Sequence, residues 1–199
     1  PPGPAAMMPA MSELKLYSYF RSSCAYRIRI ALHQKGLAYE TIPIHLLKSG
    51  GEQNSDAYTR LNPSRQVPSL LHDGVFLGQS MAIAEYLEEK FPTPRLLPTT
   101  SERRAIVRQM CEVINSGMQP FQNLSIVQYL TKTLALTEEQ KDAWIQHWIG
   151  RGYESLEKLL EKHSGTYCFG NEVTLADCFL VPQVFSSTRF KVDLSPYPK

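Results

Sequence analysis

Two hydroxyl groups and a thiol stand side by side at Ser22, Ser23 and Cys24. The residues before them alternate between apolar and polar, which predicts a strand, and the residues after them have helical periodicity. The three side chains therefore fall at a helix N-terminus, where free N–H groups and the positive end of the helix dipole favour an anion. Because hydroxyl and N–H donors stabilise a charged sulfur, this turn suits thiolate chemistry.

A purely structural role for the same three residues also fits the pattern. Serine is a common helix N-cap, and cysteine is often a small buried apolar residue. Considered alone, the turn leaves both interpretations open.

Two further positions suit the other parts of a peptide ligand. Val67-Pro68 comes just before a predicted strand, where a cis proline could expose the backbone of Val67 for β-like pairing. Gln79-Ser80 opens another predicted helix, whose N–H groups and hydroxyl could hold a carboxylate. A thiolate site, a backbone-pairing site and a carboxylate site together describe a thiol tripeptide.

The elements that must position these sites form an α/β pattern over residues 11–92. A β-α-β order followed by β-β-α predicts a mixed sheet, and Asp73-Gly74 is typical of a hairpin turn. The predicted elements are a strand over 14–19, a helix from Ser22-Ser23 to a stop at Gly36, a strand over 39–44, hairpin strands over 69–71 and 75–77, and a helix from Gln79-Ser80 to about Lys90.

Beyond Pro98 the pattern is helical only, which predicts an all-helical domain over residues 101–199. The Pro-rich residues 93–100 are the expected linker. The predicted helices run from Glu102 to about Lys132, along an apolar stripe from Trp144 to Leu160, and from a capping box at Thr174 and Asp177. Pro182 is expected to kink or shift the last of these helices.

Composition excludes several classes of protein. The chain has 199 residues and a net charge of +2, without the basic stripe of a nucleic-acid binder and without a membrane span. The four cysteines form no CxxC pair, so neither a metal site nor a disulfide framework is indicated, and a reducing, cytoplasmic compartment is expected. Residues 1–10 lack the charged region of a signal peptide and are expected to be a disordered extension. The cysteines expected to be core thiols are Cys111, Cys168 and Cys178, and the tryptophans expected to pack are Trp144 and Trp148.

Residues 17–27, YSYFRSSCAYR, closely resemble the signature of zeta-class glutathione transferases, the maleylacetoacetate isomerases. The resemblance runs essentially from Met11 to Lys199. It implies an N-terminal thioredoxin-like domain, an all-α C-terminal domain and a homodimer. The other segments that resemble landmarks of this family are 61–68, 79–80, 119–125 and 189–193.

Two departures from the family pattern accompany this resemblance. Tyr26 stands where the family usually has Trp or His, which is a change of aromatic packing. The chain also stops at Lys199, where family members continue with another helical segment. An apparently shortened C-terminus is therefore expected, with a looser substrate pocket.

The resemblance also implies a set of site residues. The catalytic candidates, which are expected to lie beside the glutathione sulfur, are Ser22, Ser23 and Cys24. The cysteinyl backbone of glutathione is expected to pair with Val67, which precedes the cis Pro68. The γ-glutamyl end is expected to bind Gln79 and Ser80. The further glutathione contacts are Arg27, Gln53, Gln119, Asn123, Leu124 and Ser125.

A dianionic substrate needs cationic partners for its carboxylates. Arg21 and Arg189 are the main candidates, with Arg27 as a third, and Arg189 is favoured because it lies in the family-like segment 189–193. A structural ion-pair role for Arg27 and Arg189 remains the alternative. No metal ligand pattern occurs among the five histidines.

The implied activity is glutathione-dependent cis–trans isomerisation of maleylacetoacetate to fumarylacetoacetate, in the breakdown of tyrosine and phenylalanine. Glutathione-dependent dehalogenation of small α-halo acids is the implied second activity. Two alternatives stay open at this point. One is a glutathione-dependent thiol oxidoreductase that uses Cys24, and the other is a non-catalytic binding module with the same fold.

Overall fold

The structure is a computed structural model that describes residues 13–199. The expected extension over residues 1–10 lies outside the described residues. An α/β domain precedes a helical domain, as the sequence predicts. The placement of the linker at residues 93–100 remains a prediction.

A four-stranded mixed sheet forms the centre of the α/β domain, in the order β2-β1-β3-β4. β1 pairs in parallel with β2 and antiparallel with β3, and β3 pairs antiparallel with β4. Leu16 and Leu70 lie opposite each other in this register and are fully buried. The strands are β1 Lys15–Ser18, β2 Glu40–Pro43, β3 Ser69–His72 and β4 Val75–Gly78.

The turn between β3 and β4 confirms the hairpin prediction. Asp73 and Gly74 both have positive φ, 49° and 79°, which matches the twist of the flanking strands. The helices of this domain are α1 Ser23–Gln34, α2 Asp56–Leu61 and α3 Ser80–Lys90, and its short 3-10 turns are Lys48–Gly50 and Glu52–Asn54.

Helices α1 and α3 bury their apolar residues in the same core as the sheet. Ile28 of α1 and Leu87 of α3 have no exposed surface. α1 ends at Gln34, and Gly36 just beyond it has φ +64°, the left-handed conformation that ends many helices. The predicted stop at Gly36 is therefore confirmed.

The helical domain packs against the α/β domain chiefly through its last helix. α7 contacts both α1 and α4, and Phe179 of α7 is fully buried in the core that the two domains share. The helices of this domain are α4 Ser101–Asn115, α5 Leu124–Gln128, α6 Glu138–His163 and α7 Leu175–Arg189. A 3-10 turn, Gln119–Gln122, and a π turn, Tyr129–Thr133, flank α5.

The prediction of one helix from Glu102 to about Lys132 is wrong. α4 ends at Asn115, and the chain then turns so tightly that a Cβ on Gly117 would lie 2.6 Å from the Val113 carbonyl oxygen. Pro120 follows and lacks the N–H that would continue the helix. The segment after Asn115 is therefore a turn, a short helix and a π turn.

The start of α7 confirms the predicted capping box. The N–H and hydroxyl of Thr174 both donate to the Asp177 carboxylate, at 2.7 and 3.0 Å. Asp177 also accepts the N–H of Cys168 at 2.8 Å, which ties the preceding loop to the helix. α7 includes Pro182 and continues to Arg189.

The three cysteines expected in the core are buried and free. Burial raises the pKa of Cys178 to about 12 and raises the pKa of Cys111 and Cys168 as well. These thiols are therefore protonated and inert at neutral pH. Trp148 stacks on Phe121 with ring centroids 4.5 Å apart, which agrees with the expected packing role.

No helix of residues 13–199 is long and apolar enough to cross a membrane. In the same residues, no group of three or more His, Cys, Asp or Glu side chains is arranged to hold a metal ion.

Candidate active site

A cavity of about 500 Å³ opens between the two domains. Its walls come from the β1–α1 turn, the loop after β2, the turn before β3, the residues around the 3-10 turn Gln119–Gln122, and the end of α7. The predicted site residues that line it are Arg21, Ser22, Ser23, Cys24, Gln53, Val67, Gln119, Asn123, Leu124, Ser125 and Arg189.

Ser22 is the N-cap of α1 and faces the cavity. Its Oγ accepts the N–H of Ala25 at 3.1 Å, and its own N–H donates to the Tyr19 carbonyl oxygen at 3.0 Å. Ser23 and Cys24 are the first two helical residues, whose N–H groups have no acceptor one turn earlier. This corner of the cavity therefore combines hydroxyl donors, free N–H groups and a helix dipole.

The turn before β3 is held by hydrogen bonds to one carbonyl group. The Gln66 carbonyl oxygen accepts from the Tyr58 hydroxyl at 2.7 Å and from Asn62 Nδ2 at 2.9 Å. Val67 follows, lines the cavity and forms the expected cis bond with Pro68.

Four predicted site residues stand outside the lining of this cavity: Arg27, Pro68, Gln79 and Ser80. Gln79 precedes α3 with φ +68° and donates through Nε2 to Gln66 Oε1 at 3.4 Å. The Ser80 hydroxyl is buried and accepts from Arg27 Nη1 at 3.0 Å. Arg27 is fully buried and also donates to Asn115 Oδ1 at 2.6 Å, so it lies behind the site.

The cavity lining is cationic beside Ser22 and Ser23, because Arg21 directly precedes Ser22 and Arg189 lines a smaller pocket with both serines. Burial, and then the positive charge of Arg21, lower the pKa of Arg189. Within residues 13–199, no carboxylate forms an ion pair with either guanidinium. Two neighbouring cations without an acidic partner favour an anionic ligand.

A buried polar chain anchors the 3-10 turn that carries Gln119. Gln122 Nε2 donates to Gln183 Oε1 at 2.9 Å, and Gln183 Nε2 donates to Ser187 Oγ at 3.3 Å. Ser187 also lies 3.0 Å from the Tyr153 hydroxyl, and burial raises the pKa of Tyr153 to about 12. These bonds connect the cavity wall to α6 and α7.

The sequence reasoning missed several lining residues. Gln66 and Gln122 lie inside segments that resemble the family, so a signal for them was present. Leu46 and Leu47 had no such signal, because only the folding of the loop after β2 brings them to the cavity. The missed lining residues are Tyr19, Leu46, Leu47, Asn54, Ser64, Arg65, Gln66, Gln122, Val127, Gln128, Ser186 and Phe190.

A thioredoxin-like sheet, an all-helical second domain and a serine-capped helix at the cavity between them agree with the family models that match this chain. The model "Glutathione S-transferase, N-terminal domain" matches residues 12–89, and "Glutathione S-transferase, C-terminal domain" matches residues 123–199. The chain belongs to the glutathione S-transferase family.

Within that family it groups with the zeta-class maleylacetoacetate isomerases. It is 52% identical to the maleylacetoacetate isomerase of Rattus norvegicus, over 92% of this chain and 82% of that protein. It is 44% identical to Glutathione S-transferase Z1 of Arabidopsis thaliana, over 94% of this chain and 83% of that protein.

Solved structures agree with this grouping. The maleylacetoacetate isomerase of Anaeromyxobacter dehalogenans with bound GSH in its active site has a TM-score of 0.82 and 43% identity, covering 94% of this chain and 86% of that chain. A holo maleyl pyruvate isomerase, a bacterial glutathione transferase of the zeta class, has a TM-score of 0.87 and 45% identity. The match covers 92% of this chain and 87% of that chain. These relatives do not favour the oxidoreductase or the non-catalytic alternative.

Proposed function

We propose that this protein catalyses the glutathione-dependent cis–trans isomerisation of maleylacetoacetate to fumarylacetoacetate, and that it also acts on small α-halo acids with glutathione. The observation that carries the proposal is a single cavity that holds a serine-capped helix N-terminus and, beside it, two arginines without a carboxylate partner among the described residues. The first arrangement suits a thiolate, and the second suits a carboxylate substrate.

The residues present fit glutathione. Gln53 and Gln122 each carry a buried side-chain oxygen without a hydrogen-bond partner, and both residues line the cavity together with the free N–H groups of α1. The glutathione sulfur would be held by Ser22, with Ser23 and Cys24 beside it. The cysteinyl backbone of glutathione would pair with Val67. Its γ-glutamyl end would be held by Gln79 and Ser80. The remaining proposed glutathione contacts are Arg27, Gln53, Gln119, Asn123, Leu124 and Ser125.

When bound, glutathione supplies a nucleophilic sulfur whose reversible addition to the cis double bond permits rotation, so that glutathione is not consumed. The Ser22 hydroxyl stabilises the charged sulfur, because its oxygen already accepts from Ala25 and its hydrogen is available to donate. The N–H groups of Ser23 and Cys24 add to this stabilisation through the helix dipole. Ser22 is thus the principal catalytic residue of the proposed site.

Arg21 and Arg189 hold the carboxylates of the substrate and orient its double bond. Both arginines line the cavity, and a guanidinium binds a carboxylate with two parallel hydrogen bonds. Arg27 is less suited to this role, because it is fully buried and bonded to Ser80 and Asn115. The structural ion-pair alternative for Arg189 loses support, since no described carboxylate pairs with it.

The proposal includes a place in the breakdown of tyrosine and phenylalanine, a cytoplasmic location and a homodimer. The four free cysteines support a reducing compartment. The family resemblance supports the homodimer, and the molar mass from light scattering tests it directly: a mass near twice 22.6 kDa is expected for the chain.

The test is incubation of the purified protein with maleylacetoacetate, with and without glutathione, following the trans isomer and total glutathione. Isomerisation that needs glutathione but does not consume it is the expected result. A mixed disulfide between Cys24 and glutathione without isomerisation would support the oxidoreductase alternative. A folded protein that binds no glutathione would support the non-catalytic module.

A further inference from the structure

The loop after β2, residues 45–53, is closed by a pair of hydrogen bonds at its base. The N–H of His45 donates to Glu52 Oε2 at 2.6 Å, and the N–H of Glu52 donates to the His45 carbonyl oxygen at 2.9 Å. Leu46, Leu47 and Gln53 of this loop line the cavity. Whatever holds the loop closed therefore shapes one wall of the site.

The imidazole of His45 holds the loop from inside. Its Nδ1 accepts the N–H of Leu47 at 3.2 Å and the N–H of Lys48 at 2.9 Å. A ring nitrogen accepts only when it carries no proton, so both bonds require the neutral imidazole with its hydrogen on Nε2. The ring also lies edge-on against Tyr19, with centroids 5.0 Å apart, and Tyr19 is itself a cavity residue.

Gln53 receives its position from this closed loop. Its Nε2 donates to the Leu46 carbonyl oxygen at 3.4 Å, next to the residues held by His45. The side-chain amide lies directly over Gly51, where a Cβ would come within 2.5 Å of it. Gly51 also has φ +98°, a conformation that other residues adopt only with strain. The loop conformation and the Gln53 amide are thus coupled.

We infer that His45 is a positioning residue for the glutathione site, acting in its neutral form through the loop and Gln53. The inference rests on the proposed function, because Gln53 is one of the proposed glutathione contacts. Protonation of Nδ1 would turn it from an acceptor into a donor facing two N–H groups. The loop would then lose both bonds, so glutathione should bind more weakly when the imidazole is protonated at low pH.

Other charged or titratable groups lie near His45, and their effects on the pH dependence of binding must be distinguished from that of His45. Glu52 and Lys48 contact it within the loop, and Tyr19 contacts it from the β1–α1 turn. Arg21 and Arg189 line the same cavity beyond Tyr19. A variant that keeps the acceptor but cannot titrate isolates the contribution of His45. His45→Asn is such a variant, since an asparagine side-chain oxygen accepts N–H groups two or three residues ahead.

The test measures the Kd of S-methylglutathione by calorimetry near pH 8 and near pH 5.5. This probe has no thiol, so ionisation of sulfur does not enter. For the unmodified protein we expect the Kd to rise about tenfold at the lower pH, the effect of losing two neutral hydrogen bonds. His45→Asn is expected to bind like the unmodified protein near pH 8 and to change less than about twofold with pH. His45→Ala is expected to bind about tenfold more weakly already near pH 8.

His33→Asn is the matched control, because His33 is exposed in the last turn of α1 and should leave the pH dependence intact. Gly51→Ala should weaken binding at both pH values, since a Cβ displaces Gln53. A pH dependence that persists in His45→Asn, or a flat response in the unmodified protein, overturns the role of His45. Unchanged binding in Gly51→Ala overturns the coupling to Gln53. Failure of the unmodified protein to bind the probe near pH 8 overturns the proposed function itself.

Discussion

Ser22 combines two tasks on one hydroxyl group. Its oxygen accepts the Ala25 N–H and so caps α1, while the hydroxyl hydrogen remains free to donate into the cavity. A serine hydroxyl has one hydrogen and two lone pairs, so the two tasks do not compete. The cap also fixes where the hydroxyl lies, which a flexible surface serine would not do.

Ser22→Ala should therefore lower both stability and activity. The lost cap should reduce the free energy of unfolding by about 1 kcal/mol. The lost bond to a charged sulfur should reduce kcat/KM about tenfold to a hundredfold, the range for a hydrogen bond to an ion. Urea denaturation and the isomerase assay measure the two effects. Thr137→Ala, which removes the cap of α6 outside the cavity lining, should match the stability loss with normal kcat/KM. Equal activity in both variants would exclude Ser22 from the chemistry.

Arg189→Met should raise the KM for maleylacetoacetate about tenfold or more, because one charge-assisted contact to the dianion is lost. The KM for glutathione should stay unchanged, since Arg189 belongs to the proposed substrate end. Steady-state kinetics with each substrate varied in turn measure both constants. Arg151→Met is the control, because Arg151 is exposed on α6 over the Trp148 ring. A parallel rise in both KM values would point to a disturbed cavity instead of a lost substrate contact.

At the scale of single residues, the sequence correctly predicted the positions that depend only on neighbours in the chain. Arg21 and Cys24 share one turn, so their common position at the cavity follows from their adjacency. Leu46 and Val127 are far apart in the chain, and no short sequence pattern indicates that both line the same cavity. Arg27 shows the opposite case, because a position in the signature did not reveal that its side chain turns away from the cavity into the core.

The helices and strands that end at strong local stop signals were predicted correctly. The wrong prediction of one helix continuing past the end of α4 has a physical reason. Apolar spacing continues past Asn115 because the segment still contributes buried residues such as Met118 and Leu130. Gly117 and Pro120 interrupt the backbone without interrupting that burial. The spacing of apolar residues indicates which positions are buried and does not by itself show where a helix ends. The predicted helix was therefore extended through a turn that Gly117 and Pro120 already indicated.

The segment between α3 and α4 is fixed by a buried ion pair. Lys35 pairs with Glu88 and donates to the carbonyl oxygens of Phe91 and Pro94 at 2.8 and 2.9 Å. The Glu88 carboxylate in turn accepts the N–H groups of Leu96 and Leu97 at 2.8 and 3.1 Å. Each charge thus satisfies backbone groups of the connecting segment as well as its partner.

Lys35→Met should lower the free energy of unfolding by about 3–5 kcal/mol, because it leaves the Glu88 carboxylate buried without its cation. Urea denaturation measures the loss. Lys90→Met is the control: Lys90 is half-exposed and pairs with Asp73 at 3.6 Å, so its removal should change stability by less than about 1 kcal/mol. A similar small effect for both lysines would contradict the role of the buried pair.

Arg27 belongs to the scale of the whole molecule, because it joins elements from both domains. From α1 it reaches Ser80 at the start of α3, Asn115 at the end of α4 and the ring of Phe179 on α7, 4.5 Å away. Its charge has no buried carboxylate partner among these contacts, and its Nε and Nη2 have no hydrogen-bond partner among the described residues. A buried cation arranged in this way contributes little to stability by itself. Its place directly behind Ser80 suits a carboxylate bound in front of that hydroxyl.

Arg27→Met should accordingly separate binding from folding. The free energy of unfolding should change by no more than about 1 kcal/mol, because removing a buried charge that has no carboxylate partner offsets the hydrogen bonds that Ser80 and Asn115 lose. The Kd of glutathione should rise about tenfold, since Ser80 loses the donor that orients it and the bound carboxylate loses a nearby cation. Asn115→Ala is the complementary variant. It removes the contact from α4, should lower stability by about 1–3 kcal/mol, and should leave glutathione binding intact. Denaturation and calorimetry on both proteins decide the matter: if Arg27→Met loses stability and keeps its affinity for glutathione, the buried charge joins the two domains and does not support the site.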